Sequence, residues 1–523
     1  MTALTLAGIV GLGGMLLAAP RPASPPDTAG LLSGYVDRFN SQDDELYTNA
    51  IPNSAAKTFL LANAPRFACP DKEIERTYYF RWWTFRKHLR HDLGLWTVTE
   101  FMPDVGWAGV GNTIVCPAGH HLREGRWLRD AKYIADDARF WLADTRASHR
   151  WGYSSWLFTG TCGVADVTGA DELPVELLDA AIAYYERWEK GFERGKDEKG
   201  RSLRQGGDGL GGFLSVDNYE GTEISLGGSG YKPLMASAMW SEALAISRIA
   251  AQAERKELSE CFAAKAATVR ASVLSNCWNE AIGFFTTATE DGVKGSIREL
   301  HGYAPWYFGM PTGHRRPDWR QLSDPMGFSG KFGLTFPERR APGFRISYEG
   351  HACQWNGPSW PFATSVALTA LANDLHSSSA SATGGLFVAL LRQYAAQQVL
   401  TRTDGTVVPW IDENQNPDTG DWIARTLGIR RQWATRERGK DYNHSTFCDL
   451  VISGLVGIVP NGRKGFAVDP LFPAEWDYLV LENLRYRGHD VAVCWRRGFG
   501  FSVEVDGRET VRRPLPERVD VNL

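Results

Sequence analysis

Two loops in this chain carry carboxylates in settings suited to acid–base chemistry. The first runs Trp410-Ile411-Asp412-Glu413-Asn414-Gln415-Asn416-Pro417-Asp418-Thr419-Gly420-Asp421-Trp422 and sets four carboxylates between two tryptophans. Asn416-Pro417 and Thr419-Gly420 favour a loop over a helix here. The second runs Glu220-Gly221-Thr222-Glu223-Ile224-Ser225-Leu226-Gly227-Gly228-Ser229-Gly230-Tyr231-Lys232-Pro233, glycine-rich and placed just before a helix. An anchored loop carboxylate beside tryptophan faces can act on a polar ligand stacked on those faces, and sugars are such ligands. On composition alone the first loop also reads as an ordinary acidic turn.

Further stretches join them as candidates. Trp355-Asn356-Gly357-Pro358-Ser359-Trp360-Pro361 places two tryptophans around a rigid turn at a helix start. The region 99–127 brings Asp104, Trp107, His120, His121 and Glu124 into a turn-rich context, and Lys440, Asp441 and His444 precede another helix. Adjacent residues of a helix do not share a face, so His120 and His121 do not suggest a metal site, and no metal is expected. The eight cysteines form no C-x-x-C pair and no zinc spacing; pairing among them cannot be read from sequence. The glycine-rich loop lacks the P-loop Lys-Ser/Thr and G-x-G-x-x-G, so no nucleotide cofactor is expected, nor any other.

The elements that must position these loops read mainly as helices. Apolar periodicity marks helices near 127–145, 173–194, 231–254, 257–278, 359–374, 384–400 and 444–458, with an aromatic helix around 78–88. Helices alternating with acid- and tryptophan-bearing loops suit a toroid whose loops gather at one end. Residues 490–495 and 499–505 alternate with a period of two before Asp506-Gly507, a hairpin signature. The expected division is therefore a helical body at 71–460 and a small β-rich segment at 461–523. Residues 27–70 read as irregular. Residues 1–26, apolar and then proline-rich, read as a secretory leader, with an uncleaved anchor as the alternative. The formal net charge of -4 argues against nucleic acid as a partner, and 20 tryptophans add weight to sugar stacking.

Glu413-Asn414-Gln415-Asn416-Pro417-Asp418-Thr419-Gly420 resembles the Glu-x-Tyr-x-Pro-x-Thr-Gly motif of glycoside hydrolase family 63 and the mannosylglycerate hydrolase-like enzymes, which share features with family 37 trehalases. Trp355 to Pro361 is similar to their Trp-x-Gly-Pro-x-Trp-Pro, and Glu220 to Ser225 to their Ser-Gly-Trp-Asp-Asn-Ser loop. The resemblance covers roughly residues 75 to 460. It implies an all-α (α/α)6 barrel with the small β appendage, inversion at the anomeric carbon, Glu413 as general base and Glu223 as general acid. Glu223 stands where those enzymes have Asp, Thr222 where they have Trp, and Gln415 where they have Tyr.

The expectation is thus a secreted or periplasmic inverting exo-glycosidase acting on an α-linked oligosaccharide or glycoside. Glu223 and Glu413 carry the reaction, and Asp104, Trp107, His120, His121, Glu124, Glu220, Trp355, Asn356, Gly357, Trp360, Trp410, Lys440, Asp441 and His444 line the substrate site. An α-L-rhamnosidase-type enzyme, a silent carbohydrate-binding protein and a polysaccharide lyase are the alternatives.

Overall fold

The computed structural model describes residues 26–196, 200, 202–377, 380, 382–473 and 475–523. All but the last residue of the expected leader lies outside them. Among the described residues no helix is long and apolar enough to cross a membrane, and all eight cysteines are unpaired.

Residues 27–70, expected to be irregular, hold two helices, α1 (Thr28–Gln42) and α2 (Asn53–Asn63). Asp27 caps α1 by accepting the Gly30 N–H, and Leu32, Val36 and Phe39 bury one helical face against α3 (Lys72–Lys87). That i, i+4, i+7 spacing is legible in the sequence; the polar residues around it hide it. Asp71 caps α3 through the Glu73 and Ile74 N–H groups.

The remaining helices are α4 (Ala118–Gly125), α5 (Lys132–Ala143), α6 (Leu157–Thr168), α7 (Glu172–Glu176), α8 (Leu178–Lys190), α9 (Pro233–Gln252), α10 (Lys256–Ser272), α11 (Ala304–Tyr307), α12 (Pro361–Leu375), α13 (Gly384–Gln397) and α14 (Ile423–Arg430), followed by a π-helical segment, Leu450–Val456. Pro233 and Pro361 start α9 and α12, where a missing N–H costs nothing. Packing runs from α4 to α6, α9, α11, α12 and on to the π-helical segment. A second layer lies against these: α5 on α4 and α6, α8 and α10 on α9, and α13 between α12 and α3.

Two carboxylates, Glu124 and Asp449, tie the last helical segment back to α4. Glu124 accepts the N–H groups of Phe447 (3.0 Å), Cys448 (2.8 Å) and Asp449 (2.8 Å), where the last helical segment begins. Asp449 in turn takes Arg123 (2.6 Å), Arg126 (2.7 Å) and the Trp127 indole (2.8 Å). Burial pushes the Asp449 carboxyl up, but the two guanidiniums hold it well below the usual carboxylate range.

The molecule is not all-α. An antiparallel sheet orders Arg66–Ala68, Tyr478–Tyr486, His489–Arg496, Gly500–Val505 and Arg508–Arg513, so the C-terminal sheet takes one strand from the N-terminal region. Its last hairpin turns at Asp506 and Gly507, both at positive φ, as a two-residue turn between right-twisted strands requires. Within the helical region a four-stranded sheet, Phe192–Lys196, Ser202–Gly207, Phe213–Ser215 and Gly230–Tyr231, holds the loop that carries Glu220 and Glu223 between its last two strands. These strands are short and interleaved with helices, which the helical periodicity masks.

Glu124→Ala leaves three buried N–H groups without an acceptor and is expected to cost about 3–5 kcal/mol, read as a lowered urea midpoint.

Candidate active site

A cavity of about 540 Å³ is lined by Glu223 and Glu413 together, with Glu100, Trp107, Trp355, Trp360, Arg438, Tyr442 and His444 among its other walls. The two loops singled out by their acids therefore converge.

The Glu413 loop is fixed by its own backbone and by the tryptophan turn. Ser359 and Gln415 exchange two backbone hydrogen bonds of 2.9 Å each, which ties the Trp355–Pro361 turn to the acid loop. Asn414 donates to the Ala352 carbonyl (2.9 Å) and accepts from the Ala424 N–H (3.0 Å). Asn416 accepts the Asp418 and Thr419 N–H groups, an Asx turn that leads into Gly420 at φ +80°. Trp355 and Trp360 stack 4.0 Å apart and 5° from parallel.

Glu413 itself is buried. Its Oε1 accepts both the Nε (3.1 Å) and an Nη of Arg438, and among the described residues its Oε2 takes only the weak Cys353 thiol donor (3.1 Å). The Arg438 guanidinium lies over Trp433 (4.1 Å), Trp107 (5.1 Å) and Phe101 (5.6 Å). A buried carboxylate thus has its counter-charge held in an aromatic clamp while one oxygen stays available to a stronger donor.

The Glu223 loop is organised by Asp217. Its carboxylate accepts the Thr222 hydroxyl (2.8 Å), the Ser225 hydroxyl (2.6 Å) and N–H (3.1 Å), and Lys232 (2.5 Å). The Trp355 N–H donates to the Glu223 carbonyl (3.1 Å), joining this loop to the tryptophan turn as well. Ile224, a β-branched residue, sits at φ +57°, a strained conformation next to the acid. Burial pushes the Glu223 carboxyl up to about 7, with nearby Asp217 and Glu413 adding to the rise.

Four of the sequence-derived binding residues, Trp107, Trp355, Trp360 and His444, line the cavity beside the two acids. The Trp355 indole nitrogen and both His444 ring nitrogens are buried without a hydrogen-bond partner among the described residues. Burial holds His444 neutral.

Ten others lie outside the cavity wall, each engaged elsewhere. Asp104 is an 81 % exposed side chain paired with Arg90. His120 packs edge-on against Trp156 and Phe362, and His121 Nε2 meets the Asn443 carbonyl at 2.6 Å. Glu124 closes the helical circuit. Glu220 accepts the Ser154 (2.8 Å) and Ser215 (3.0 Å) hydroxyls behind the acid loop. The Asn356 carbonyl accepts the Arg345 N–H, and at Gly357 a Cβ would meet the Arg345 carbonyl at 2.1 Å. Trp410 donates to Asp412 (3.3 Å), Lys440 pairs with Asp43 and Asp44, and Asp441 pairs with Lys87.

Sequence reading missed Glu100, Arg438, Tyr442 and Cys353. Arg438 lies in Arg436-Glu437-Arg438, a charge run that reads as solvated surface. Arg438→Met strands Glu413 and is expected to cost about 3–5 kcal/mol in urea unfolding. Adding Glu413→Gln should recover about 1–3 kcal/mol of that loss, which a double-mutant cycle reads directly.

Residues 111–445, more than half of the chain, match the sequence model of the family described as mannosylglycerate hydrolase MGH1-like glycoside hydrolase domain. A solved structure titled "Sialidase" is 30% identical and superposes with a TM-score of 0.83 over 94% of this chain and 44% of its own. A family 78 rhamnosidase of Bacillus sp. GL1, 13% identical, superposes with a TM-score of 0.55 over 84% of this chain and 41% of its own, a likeness of fold alone. The chain spans less than half the length of either. Glu223, Glu413, Arg438 and the tryptophan turn all fall within the matched residues, and the chain belongs to the mannosylglycerate hydrolase MGH1-like glycoside hydrolase domain family.

Proposed function

We propose that the protein is an inverting exo-glycosidase that releases an α-linked sugar, with Glu223 as general acid and Glu413 as general base. The observation that carries this reading is that two carboxyls from distant loops share one aromatic cavity in opposite electrostatic settings. Glu223 is held by burial as a proton donor at neutral pH, while Glu413 has an arginine counter-charge and a free lone pair.

In the proposed reaction Glu223 gives its proton to the glycosidic oxygen as the bond to the anomeric carbon breaks. Water on the opposite face gives its proton to Glu413 Oε2 and its oxygen to the anomeric carbon. This geometry needs carboxyls about 6.5–9.5 Å apart, wide enough to seat the water. A cavity wall carrying Trp107, Trp355 and Trp360 suits a sugar ring. The closed helical circuit and its outer layer support an (α/α)6 barrel as the frame. The apolar leader supports export to the periplasm or beyond, with a glycoside as the partner.

A rhamnosidase-type substrate is the second reading, favoured by the glutamate at 223 where the resembled enzymes carry aspartate.

The first test is NMR of the first-formed anomer across a panel of aryl α-glycosides: inversion supports the reading and retention overturns it. Glu413→Gln should fold and lose about 10²–10⁴-fold in turnover. Glu223→Gln should lose much less on substrates with activated leaving groups than on natural ones, and equal losses would remove its acid role. Glu223 acts only while protonated, so kcat/KM should fall as pH rises through about 7, and that limb should vanish in Glu223→Gln.

A further inference from the structure

Inverting hydrolysis uses two carboxyls, and this cavity holds a third. Glu100 follows the short strand Thr97–Val98 and lines the cavity that Glu223 and Glu413 share. Its backbone carbonyl accepts the Asn443 N–H (3.0 Å), and the Asn443 side chain donates to the Thr99 carbonyl (3.3 Å), so its backbone is pinned to the segment that follows Arg438.

The side chain is engaged on one side only. The Tyr442 hydroxyl donates to Glu100 Oε1, and Oε2 has no hydrogen-bond or ion-pair partner among the described residues. Buried glutamates with structural work in this protein are satisfied differently: Glu124 accepts three N–H groups through both oxygens, Glu220 two serine hydroxyls, and Glu242 the N–H groups of Phe158 and Thr159. Glu100 alone of these four faces the cavity. Burial, together with the nearby Glu413 and Glu223, pushes its carboxyl up to about 8, so at neutral pH it carries a proton and can donate as well as accept. Phe101 and Trp107, packed edge to face 5.7 Å apart, add apolar surface to the same cavity.

We propose that Glu100 is a substrate-contacting residue whose Oε2 hydrogen-bonds a ring hydroxyl of the sugar held between Glu223 and Glu413, and that Tyr442 positions it. The inference rests on the reading of the cavity as a sugar site. It makes Glu100 a specificity residue: a sugar with a hydroxyl at the matching ring position is selected over its deoxy counterpart, because the deoxy sugar leaves a buried carboxyl unpaired.

The test uses the full chain with an aryl glycoside that the panel identifies and its monodeoxy derivatives. For one derivative, wild type should lose about 100-fold in kcat/KM, while Glu100→Ala and the isosteric Glu100→Gln should lose less than about 5-fold and about 20-fold relative to their own parent-substrate values. Tyr442→Phe should keep a reduced share of the wild-type discrimination and show it mainly in KM. Equal deoxy penalties in wild type and Glu100→Ala, at every ring position, would overturn the proposal. Saturation-transfer NMR of monosaccharide binding separates it from the hydrolase reading. If wild type turns over no glycoside yet binds a sugar that Glu100→Ala no longer holds, the hydrolase reading falls and the role of Glu100 stands. If neither turnover nor sugar binding occurs, both fall.

Discussion

A charge carried into an apolar cavity must be paired or neutralised, and that constraint decides the chemistry available here. Four carboxyls sit in or behind one aromatic wall. Glu413 is paired, with Arg438 clamped among Trp433, Trp107 and Phe101. Glu223 and Glu100 carry no such partner, and burial makes them proton-holding groups near neutrality. Asp412, behind Glu413, is pushed up to about 7 by burial and by Glu413 itself. One site thereby holds a paired carboxylate and protonated carboxyls at the same pH, the division of roles that acid–base catalysis needs.

Holding those groups at fixed separations falls to the frame. The tryptophan turn is the shared brace: Ser359 is bonded to the Glu413 loop and Trp355 to the Glu223 loop. Both loops are thus bonded to one turn at the start of α12. The frame itself is closed by a carboxylate, Glu124, whose three N–H partners join its last helical segment to α4.

The parts of the site that were legible in the sequence are those whose signals are local. Loop-forming residues around Glu413, glycines around Glu223 and prolines at the starts of α9 and α12 mark positions without knowledge of partners. The same local logic misplaced Glu124 and the His120–His121 pair, since an acid beside histidines looks like a site while its real partners lie more than 300 residues on. Glu100 escaped notice for the same reason. Its meaning depends on Tyr442, which only the fold brings near. α1 shows the converse: its apolar spacing was present, but a polar composition outweighed it.

The central claim is that the Glu223 carboxyl titrates near neutrality beside a Glu413 that is paired with Arg438. Carbon-13 NMR of glutamate carboxyls, with Glu223 assigned by the signal lost in Glu223→Gln, measures this in the resting protein. The Glu223 carboxyl is expected to titrate near pH 7. A Glu223 signal that titrates below about pH 5, like a solvated glutamate, would contradict its role as the acid.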